Sequence, residues 1–169
     1  EHINVIGREV EMDAIYSSTT WFNPCELLNL NINHIYSRGF PYHSRFKDTK
    51  IVIRKEQGVI HLNMGLWLKH PDVDAITCSS FPIVNSSSFR GRSLMLGQNT
   101  WCPINTQNTA ISREVISCFY FIRMNYPILG VPIDRDGDIF TGYFCQACMH
   151  HLGYRVRIGT PLSLHIRNL

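Results

Sequence analysis

The chain has 169 residues, of which 44% are hydrophobic and 17% charged, a composition typical of a folded globular protein. Its formal net charge is only +3 and its basic residues are scattered, so charge gives no support for a nucleic-acid partner. No apolar stretch approaches the roughly 20 residues that a membrane helix needs. We therefore expect a single domain over residues 1–169, with no nucleic-acid partner and no membrane segment.

The first predicted elements lie in the middle of the chain. Residues Gln57–Asn63 alternate as a β-strand does, and a short turn or helix is expected around Gly65–Lys69, stopped by Pro71. Ala75–Cys78 is expected to form a second short strand. The stretch Ser79–Arg92 is rich in serine, asparagine, glycine, proline and arginine, which predicts a surface loop.

Two further segments precede the C-terminal part of the chain. Ser112 stands where a helix N-cap should, Glu114 follows in the first turn, and apolar residues recur at helical spacing over Val115–Ile122. This pattern predicts a helix. The next stretch, Asn125–Asp136, contains two prolines and a glycine and is expected to be a loop.

The C-terminal part of the chain contains the clearest helix and two strands. The helix is predicted over Ile139–His151, with Gly153 in position to end it. Tyr154–Ile158 alternates as a half-exposed strand, and Pro161–Ile166 makes another. Elements of both kinds in one small domain predict an α/β layered fold.

The six cysteines are spread unevenly and do not form the dense pattern of a disulfide scaffold. Cys145 and Cys148 have the C-x-x-C spacing, and His150 and His151 follow them, so zinc is one alternative. This stretch is predicted to be helical, however, and no second motif of this kind occurs. We therefore expect thiols buried against a helix instead.

Four polar segments run through the chain in a fixed order, and core packing does not explain them. Each combines carboxylates, amides or arginines with glycines and aromatic residues, as a site for a charged, hydroxyl-rich ligand requires. Because a core needs none of these polar groups, the four segments predict a ligand-binding site. They are Arg38–Arg45, Gly65–Ala75, Asn105–Thr109 and Asp136–Tyr143.

Two of these segments resemble motifs of a known family. Arg38-Gly-Phe-Pro followed by Arg45, and Gly65-Leu-Trp-Leu followed by Pro-Asp-Val-Asp-Ala75, resemble motifs of the reversibly glycosylated polypeptides, which are UDP-arabinopyranose mutases. The other two segments, together with Gln146 and the final Arg167-Asn168, resemble more closely the STELLO-like proteins, a group related to glycosyltransferases. The shared order of motifs covers nearly the whole chain.

The resemblance implies an α/β fold of the GT-A nucleotide-diphospho-sugar transferase type, with this chain as its C-terminal, acceptor-side part: a mixed sheet with flanking helices. Such folds hold the sugar nucleotide with an Asp-x-Asp motif and usually a divalent metal, here expected to be Mn²⁺. Asp72-Val-Asp74 has the right letters but matches the later Pro-Asp-x-Asp-Ala motif. The nucleotide-binding half is therefore expected before Glu1, and the domain is expected to be incomplete at both ends. The alternative is a degenerate relative without that motif.

Arg38 and Asp138 are the candidate catalytic residues. Arg38 matches the arginine that becomes glycosylated in the mutase family, and its alternative is a structural arginine held by backbone carbonyls beside Pro41. Asp138 is placed like the late carboxylate of GT-A enzymes, at a helix start where the helix dipole favours its ionised form. Its alternative is a plain N-cap, but Asp136 can supply that cap instead.

A second set of residues is expected to bind the substrate or a metal. Amides offer donors and acceptors to sugar hydroxyls, arginine suits a diphosphate, and tryptophan can stack on a sugar or base. His165, at the end of the last predicted strand, matches a histidine of the mutase family and is expected as a metal ligand. The alternatives are turn-forming amides, a core tryptophan and a half-buried histidine. The expected substrate-binding residues are Arg45, Trp67, Asn105, Gln107, Asn108 and Asp136.

The sequence therefore predicts a domain that handles a UDP-linked nucleotide sugar, either for glycosyl transfer or for the ring interconversion of the mutases. The acceptor is unknown. The alternative is a catalytically silent glycosyltransferase-like domain that serves as a scaffold for other proteins. The oligomeric state stays open, and the two resemblances leave both the cytosolic face and the Golgi as locations.

Overall fold

The structure, a computed structural model, describes residues 4–81, 84–133 and 136–166. It has the mixed α/β architecture predicted from the sequence, with a mixed sheet and two α-helices in those residues. The strands are β1 (Arg8–Ser17), β2 (Leu28–Leu30), β3 (Ile51–Lys69), β4 (Ser86–Phe89), β5 (Leu94–Leu96), β6 (Thr109–Ile111), β7 (Tyr126–Ile128), β8 (Val131–Ile133) and β9 (Arg155–His165). The helices are α1 (Ala75–Ser80) and α2 (Gly137–Leu152), and 3-10 helices cover Pro24–Leu27, Tyr42–Ser44 and Arg113–Cys118.

Strand β3 is the longest strand, and its burial changes along its length. Its first residues, from Ile51 to Lys55, are exposed, whereas every residue from Ile60 to Trp67 is buried. A strand that is buried on both faces needs paired neighbours on its two edges. β1 supplies pairing for the outer part of β3, while β6 and β9 pair with the inner part. The inner part of β3 therefore lies in the interior of the main sheet, with a paired strand on each edge.

The buried part of β3 alternates apolar and polar residues, and its polar side chains are hydrogen bonded. The His61 Nδ1 atom lies 2.7 Å from the Ser112 hydroxyl. Arg157 donates a hydrogen bond to Asn63 Oδ1 at 2.6 Å. A buried polar group left without a partner costs about 1–3 kcal/mol, so these contacts allow a half-polar strand to lie inside the fold.

The main sheet has the last strand of the chain near its centre. Its strand order is β1-β5-β9-β3-β4-β2, with β6 also paired to β3. β9 runs parallel to β3 and antiparallel to β5, and Ile158 of β9 lies opposite Met64 on one side and Leu94 on the other. β7 and β8 form a separate two-stranded hairpin. The sheet is therefore completed by a strand inserted between two earlier ones.

A buried glutamine side chain is one of the contacts that join helix α2 to the rest of the fold. The Gln146 amide group donates to the Cys102 carbonyl oxygen at 2.8 Å, and its Oε1 accepts from the Cys102 N–H at 3.0 Å. Cys145 and Met149 of the same helix lie in the main apolar core with β3 and β9. These contacts hold α2, whose first turns contain the fourth polar segment, against the sheet.

Two predictions around the second polar segment are wrong. Gly65–Lys69 is not a turn or helix but the end of β3, because pairing with β9 continues through it. Ala75–Cys78 is not a strand but part of α1. Asp74 is the N-cap of that helix and accepts a hydrogen bond from the Thr77 N–H at 2.9 Å. The N-cap made by Asp74 favours a helix here, although the composition of Ala75–Cys78 is typical of a strand.

Three further segments differ from the sequence predictions. The expected loop Ser79–Arg92 contains β4, which pairs with β2. The helix expected over Val115–Ile122 is replaced by the 3-10 helix Arg113–Cys118. Ser112 is at its N-cap position but makes no side-chain cap bond, because its hydroxyl contacts β3 instead. The expected loop Asn125–Asp136 contains the β7–β8 hairpin.

The prediction of the C-terminal helix is confirmed, whereas the two strands predicted after it form a single strand. The helix expected over Ile139–His151 is α2, and it ends at Gly153, whose φ of 74° is left-handed. The strands expected over Tyr154–Ile158 and Pro161–Ile166 are one continuous strand, β9. α2 is the longest helix described, and no helix in the described residues is long and apolar enough to span a membrane.

We expect Gln146→Leu to destabilise the fold by about 2–4 kcal/mol, because leucine leaves the buried N–H and carbonyl of Cys102 without their partners. Urea unfolding followed by circular dichroism measures the change. Gln57→Leu makes the same substitution at an exposed position of β3 and should change stability by less than about 0.5 kcal/mol. Equal midpoints for the two variants would contradict the role assigned to Gln146.

Candidate functional site

A cavity of about 870 Å³ opens where separate parts of the chain meet. It lies between the segment that follows β2, the turn from β3 into α1, and the first turns of α2. Each of the four polar segments contributes to its lining. The charged and amide side chains that line it are those of Arg38, Arg45, Asp72, Asp74, Gln107 and Asp136.

Arg38 joins two carboxylates from distant parts of the chain. Its Nε lies 3.1 and 3.2 Å from the two Asp72 carboxylate oxygens. Its Nη1 and Nη2 donate to Asp138 Oδ1 and Oδ2 at 3.0 and 2.5 Å. The Asp72 side chain is only 4% exposed, whereas those of Arg38 and Asp138 are 22% and 20% exposed. Carboxylates therefore hold the Arg38 side chain, in place of the backbone carbonyls of the structural alternative.

Burial and the two carboxylates act on Arg38 in opposite directions. Burial disfavours the charged guanidinium, but the hydrogen bonds and charges of Asp138 and Asp72 outweigh it and raise the pKa of Arg38. Arg38 is therefore a fixed cation at the cavity wall. Asp138 is not part of the lining itself and is linked to the cavity through Arg38.

Gly39 makes the turn that brings Arg38 to α2. Its φ is +88°, and a Cβ at this position would lie 2.6 Å from Cγ2 of Ile139. The Tyr143 hydroxyl donates a hydrogen bond to the Gly39 carbonyl oxygen at 2.5 Å. Burial raises the pKa of Tyr143, which keeps the hydroxyl protonated as a donor. Only glycine suits both the left-handed backbone and the close approach of the helix.

Arg45 and Asp74 form a second ion pair at the cavity. Arg45 Nη2 lies 2.6 Å from Asp74 Oδ2, and the two side chains are only 9% and 10% exposed. The Arg45 guanidinium carbon lies 4.0 Å from the centroid of the Tyr42 ring and 5.3 Å from that of Tyr36. Tyr42 lines the cavity and is 53% exposed, so the stack leaves aromatic surface for a ligand.

Asp74 also caps α1 and so links the ion pair to a helix. Its Oδ1 accepts from the Thr77 N–H at 2.9 Å, and its Oδ2 accepts from the Thr77 hydroxyl at 3.0 Å. Burial alone would raise the pKa of Asp74, but the Thr77 hydrogen bonds and the contact with Arg45 lower it below its ordinary 3.8. The ionised form of Asp74 therefore stabilises the folded protein.

Of the three amide residues predicted for the site, one lines the cavity and two support the loop that carries it. Gln107 is exposed and lines the cavity. Asn105 is buried, and its Oδ1 accepts from the Gln107 N–H at 3.2 Å. Asn108 donates to the Leu66 carbonyl at 3.0 Å, and its own carbonyl accepts from the Gly65 N–H at 2.7 Å. Asn105 and Asn108 shape the loop that presents Gln107, and sugar contacts by the three amides stay a prediction.

Three other predicted site residues lie in different surroundings. Trp67 is 4% exposed and belongs to the main core. His165 is half-buried at the end of β9, where its Nδ1 lies 2.7 Å from the His70 carbonyl oxygen. Neither Trp67 nor His165 lines the cavity. Asp136 does line it, and stands at the N-cap position of α2 without a side-chain cap bond. The substrate roles of Trp67 and Asp136 and the metal role of His165 stay predictions.

The described residues do not bring together the side chains of a metal site. They contain no group of three or more histidine, cysteine or carboxylate side chains that could hold a metal ion. All six cysteines are free thiols; Cys145 is buried in the core and Cys148 is half-buried on the same helix. The zinc alternative for this pair therefore finds no further ligands in the part of the chain that is described.

The sequence does not single out Asp72, Gly39 or Tyr143, although all three hold Arg38 or its loop in place. The charges could have predicted the partner of Arg38. The first polar segment has two arginines and the second has two aspartates, Asp72 and Asp74, so ion pairs between the two segments are expected. Tyr143 gives no such signal, because its hydroxyl contacts a backbone carbonyl that any residue could supply.

A protein-family model matches a range of this chain that contains every residue lining the cavity. The model of the family described as reversibly glycosylated polypeptide matches residues 35–168, which include all four polar segments. This chain belongs to the reversibly glycosylated polypeptide family. The predicted family is thereby confirmed. The resemblance to the STELLO-like proteins stays a prediction, and its final motif, Arg167-Asn168, lies outside the described residues.

Relatives of the chain in this family include plant UDP-arabinopyranose mutases. UDP-arabinopyranose mutase 3 of Arabidopsis thaliana is 29% identical over 131 residues, which are 77% of this chain and 33% of that protein. UDP-arabinopyranose mutase 1 of the same plant is 30% identical over 132 residues, again 77% of this chain and 33% of the relative. The chain therefore spans about a third of the length of these two relatives.

We expect Gly39→Ala to destabilise the protein more than Gly91→Ala does. Both glycines have left-handed backbones, with φ of +88° and +95°, so each alanine costs about 1–2 kcal/mol. Only at Gly39 does the new Cβ also meet Ile139, whereas nothing lies within 4 Å at Gly91. This contact should add about 1–3 kcal/mol in urea unfolding. Equal losses for the two variants would argue against the close approach of α2.

We expect Asp74→Asn to lower stability at neutral pH by about 2–3 kcal/mol, because the nearly buried Arg45 loses its carboxylate. The folded-state pKa of Asp74 lies below its ordinary 3.8, so its contribution is complete above that value and is lost as the pH falls through the folded pKa. The difference between wild type and variant should therefore shrink below about pH 4. Urea unfolding at a series of pH values measures it.

The exposed Asp48 provides the control for this experiment. Asp48→Asn should leave stability within about 0.5 kcal/mol of wild type across the same pH range. A difference between wild type and Asp74→Asn that stays constant as the pH falls would contradict the role given to the ionised carboxylate.

Proposed function

We propose that this chain forms part of the site of a UDP-sugar mutase, with the sugar end of the substrate in the cavity between the two arginines and α2. The observation that carries the proposal is the Arg38 guanidinium held between Asp72 and Asp138 in the region that the family shares. The mixed sheet with flanking helices supports a GT-A-like fold, whose nucleotide-binding half we place outside this chain.

The chemistry of the proposed reaction needs both charges that the site contains. Ring interconversion and glycosyl transfer both begin with cleavage of the bond between the sugar and the diphosphate. A carboxylate stabilises the cationic sugar that develops, and cations stabilise the departing diphosphate. Asp72 lines the cavity and is suited to the first task, with Asp138 acting through Arg38. Arg38 and Arg45 are suited to the second task. Because these groups are paired with each other, the substrate must replace protein ion pairs with its own contacts.

Arg38 is better suited to hold charge than to attack the sugar directly. A guanidinium must lose a proton before its nitrogen can form a bond, and the raised pKa of Arg38 opposes that loss. If the sugar is transferred to Arg38, as the family resemblance implies, a carboxylate has to accept the proton. Asp138 Oδ1, 3.0 Å from Arg38 Nη1, is in hydrogen-bond contact and can take it.

The charge of the cavity supports the expectation of a divalent cation. Among the described lining residues, three aspartates (Asp72, Asp74 and Asp136) stand against two arginines, so no positive charge is left over for a diphosphate. A cation such as Mn²⁺ would supply it. His165 lies outside the lining of the cavity, so it is not placed to bind this cation in the arrangement described. We propose that the metal enters with the diphosphate.

Tyr42 and Gln107 are the lining residues best placed to contact an uncharged part of the substrate. Both are exposed at the cavity, and neither belongs to an ion pair with a described residue. The Tyr42 ring is stacked on Arg45 and so has a fixed orientation, which favours stacking on a sugar or a base. The Gln107 amide can donate to and accept from sugar hydroxyls.

Calorimetric titration of UDP and UDP-sugars into the full-length protein, with and without manganese, tests this proposal. We expect binding that depends on the metal. Arg38→Ala and Asp138→Asn should each weaken it at least about tenfold, because each leaves its partner's charge unbalanced next to the substrate. Arg54→Ala, at an exposed arginine of β3 outside the cavity, should leave the affinity unchanged.

Circular dichroism of each variant separates lost binding from lost folding. A folded wild-type protein that binds no UDP-sugar in either condition would overturn the mutase proposal. That result would favour the alternative, a catalytically silent glycosyltransferase-like scaffold.

A further inference from the structure

Two cysteines lie near each other where the 3-10 helix Arg113–Cys118 packs against α2, away from the cavity. Cys118 is the last residue of the 3-10 helix Arg113–Cys118, and Cys148 lies in the second half of α2. The Cys118 thiol lies close enough to Cys148 to raise the pKa of the Cys148 thiol. Both residues are half-buried and neither is in a disulfide. No step proposed for the UDP-sugar site uses them.

The chain that follows the 3-10 helix runs along α2 in a defined direction. The Thr141 hydroxyl donates a hydrogen bond to the Tyr120 carbonyl oxygen at 2.8 Å. Two residues later, the Ile122 carbonyl oxygen is so close to the helix that a Cβ on Gly137 would lie 2.7 Å from it. These two contacts place residues 118–122 antiparallel to α2.

The helix geometry explains why the two thiols meet. Cys148 is about two turns beyond Thr141, which is itself about one turn beyond Gly137, so the three residues lie on one face of α2. A chain that contacts Gly137 and Thr141 in antiparallel direction continues toward Cys148 at its N-terminal end. The position of Cys118 is therefore set by packing of the backbone and not by the thiol contact alone.

A third thiol on the same helix is shielded. Cys145 is fully buried in the core, and burial raises its pKa to about 12. Because the thiolate is the reactive form of cysteine, Cys145 is protected both by its lack of exposure and by its protonation. The pKa of the Cys148 thiol is raised as well, so it is exposure that separates the pair from Cys145, and oxidation in this region should select the half-buried pair.

We propose that Cys118 and Cys148 are a modification site: they form an intrachain disulfide by exchange with a low-molecular-weight disulfide such as oxidised glutathione. The two cysteines lie on elements that pack against each other and are joined by the hydrogen bond from Thr141 to the Tyr120 carbonyl. This site is independent of the proposed UDP-sugar site, and its test does not use that function.

The exchange takes place in two steps. One protein thiol loses its proton to solvent, and its sulfur attacks the small disulfide to form a mixed disulfide, expelling one small thiolate. The second protein thiol then loses its proton and attacks the protein sulfur of the mixed disulfide, expelling the other small thiolate. The protein pair is oxidised by two electrons, the small disulfide is reduced by the same two, and the two protons leave on two small thiols.

The disulfide would close residues 118–148 into one loop. This loop contains the β7–β8 hairpin together with Asp136 and Asp138 at the start of α2. The hairpin exposes large apolar side chains, among them Tyr126, Leu129 and Val131. A crosslink across the base of the loop limits how far this region can open in the unfolded chain, and so it stabilises the folded state.

The test is incubation of the reduced protein with oxidised glutathione, followed by digestion without reductant and mass spectrometry. We expect a linked peptide pair, containing Cys118 and Cys148, that is lighter by two hydrogen atoms than the two reduced peptides together. Two of the six cysteines should become unreactive to alkylation in the unfolded protein. The Tm should rise by roughly 10 °C and return to its starting value on reduction.

Single-cysteine variants provide the controls. Cys78→Ser removes a half-buried cysteine elsewhere in the fold and should leave the linked pair and the Tm rise intact. Cys118→Ser and Cys148→Ser should stop at a glutathione adduct on the remaining cysteine, without the rise. Mapping of the wild-type protein decides the matter even if a variant fails to fold. A Cys145–Cys148 link, unlinked adducts or six unchanged thiols would each overturn the proposal.

Discussion

The arrangement of the cavity depends on one guanidinium shared between two carboxylates. Asp72 is 34 residues from Arg38 along the chain and Asp138 is 100 residues away, so this single side chain joins the first polar segment to the end of β3 and to the start of α2. Bringing three charges together out of water is unfavourable unless each finds a partner. Each member is therefore stable only in the presence of the other two, and the three act as one unit. Arg45 and Asp74 repeat the principle on the other side of the cavity, where the carboxylate also caps a helix.

The contacts that support these charged groups are made largely to backbone atoms. Tyr143 donates to the Gly39 carbonyl, Gln146 pairs with both backbone groups of Cys102, and Asn108 donates to the Leu66 carbonyl. Side chains that bind the backbone fix the path of a loop without placing another charge near the substrate. The framework and the proposed chemistry are thus carried by different residues, and the charged side chains at the cavity are free to exchange partners with a ligand.

Local signals explain what the sequence predicted well. α2 has helical periodicity and a glycine at its end, so its position could be predicted closely. The four polar segments predicted that a site exists, and residues of all four line one cavity. The partners of Arg38 could not be derived in the same way, because they depend on how β3 and α2 are placed in space. α1 has only six residues, so its apolar pattern is too short to distinguish a helix from the strand predicted over Ala75–Cys78. A core position for Trp67 was already the alternative from the sequence, and the structure places the residue in the main core.

Strand β9 lies between β3 and β5 although it is the last strand of the described chain. The ribosome adds residues in order, so β1, β3 and β5 leave it long before the strand that separates β3 from β5. Until β9 arrives, one edge of β5 and one edge of inner β3 are unpaired, and such edges can pair with the wrong strand or with another chain. The buried contact between Arg157 and Asn63 also forms only at that stage. Of the strands described in this sheet, the one made last therefore lies between two made earlier, and a nascent chain has to keep that position open until β9 fills it.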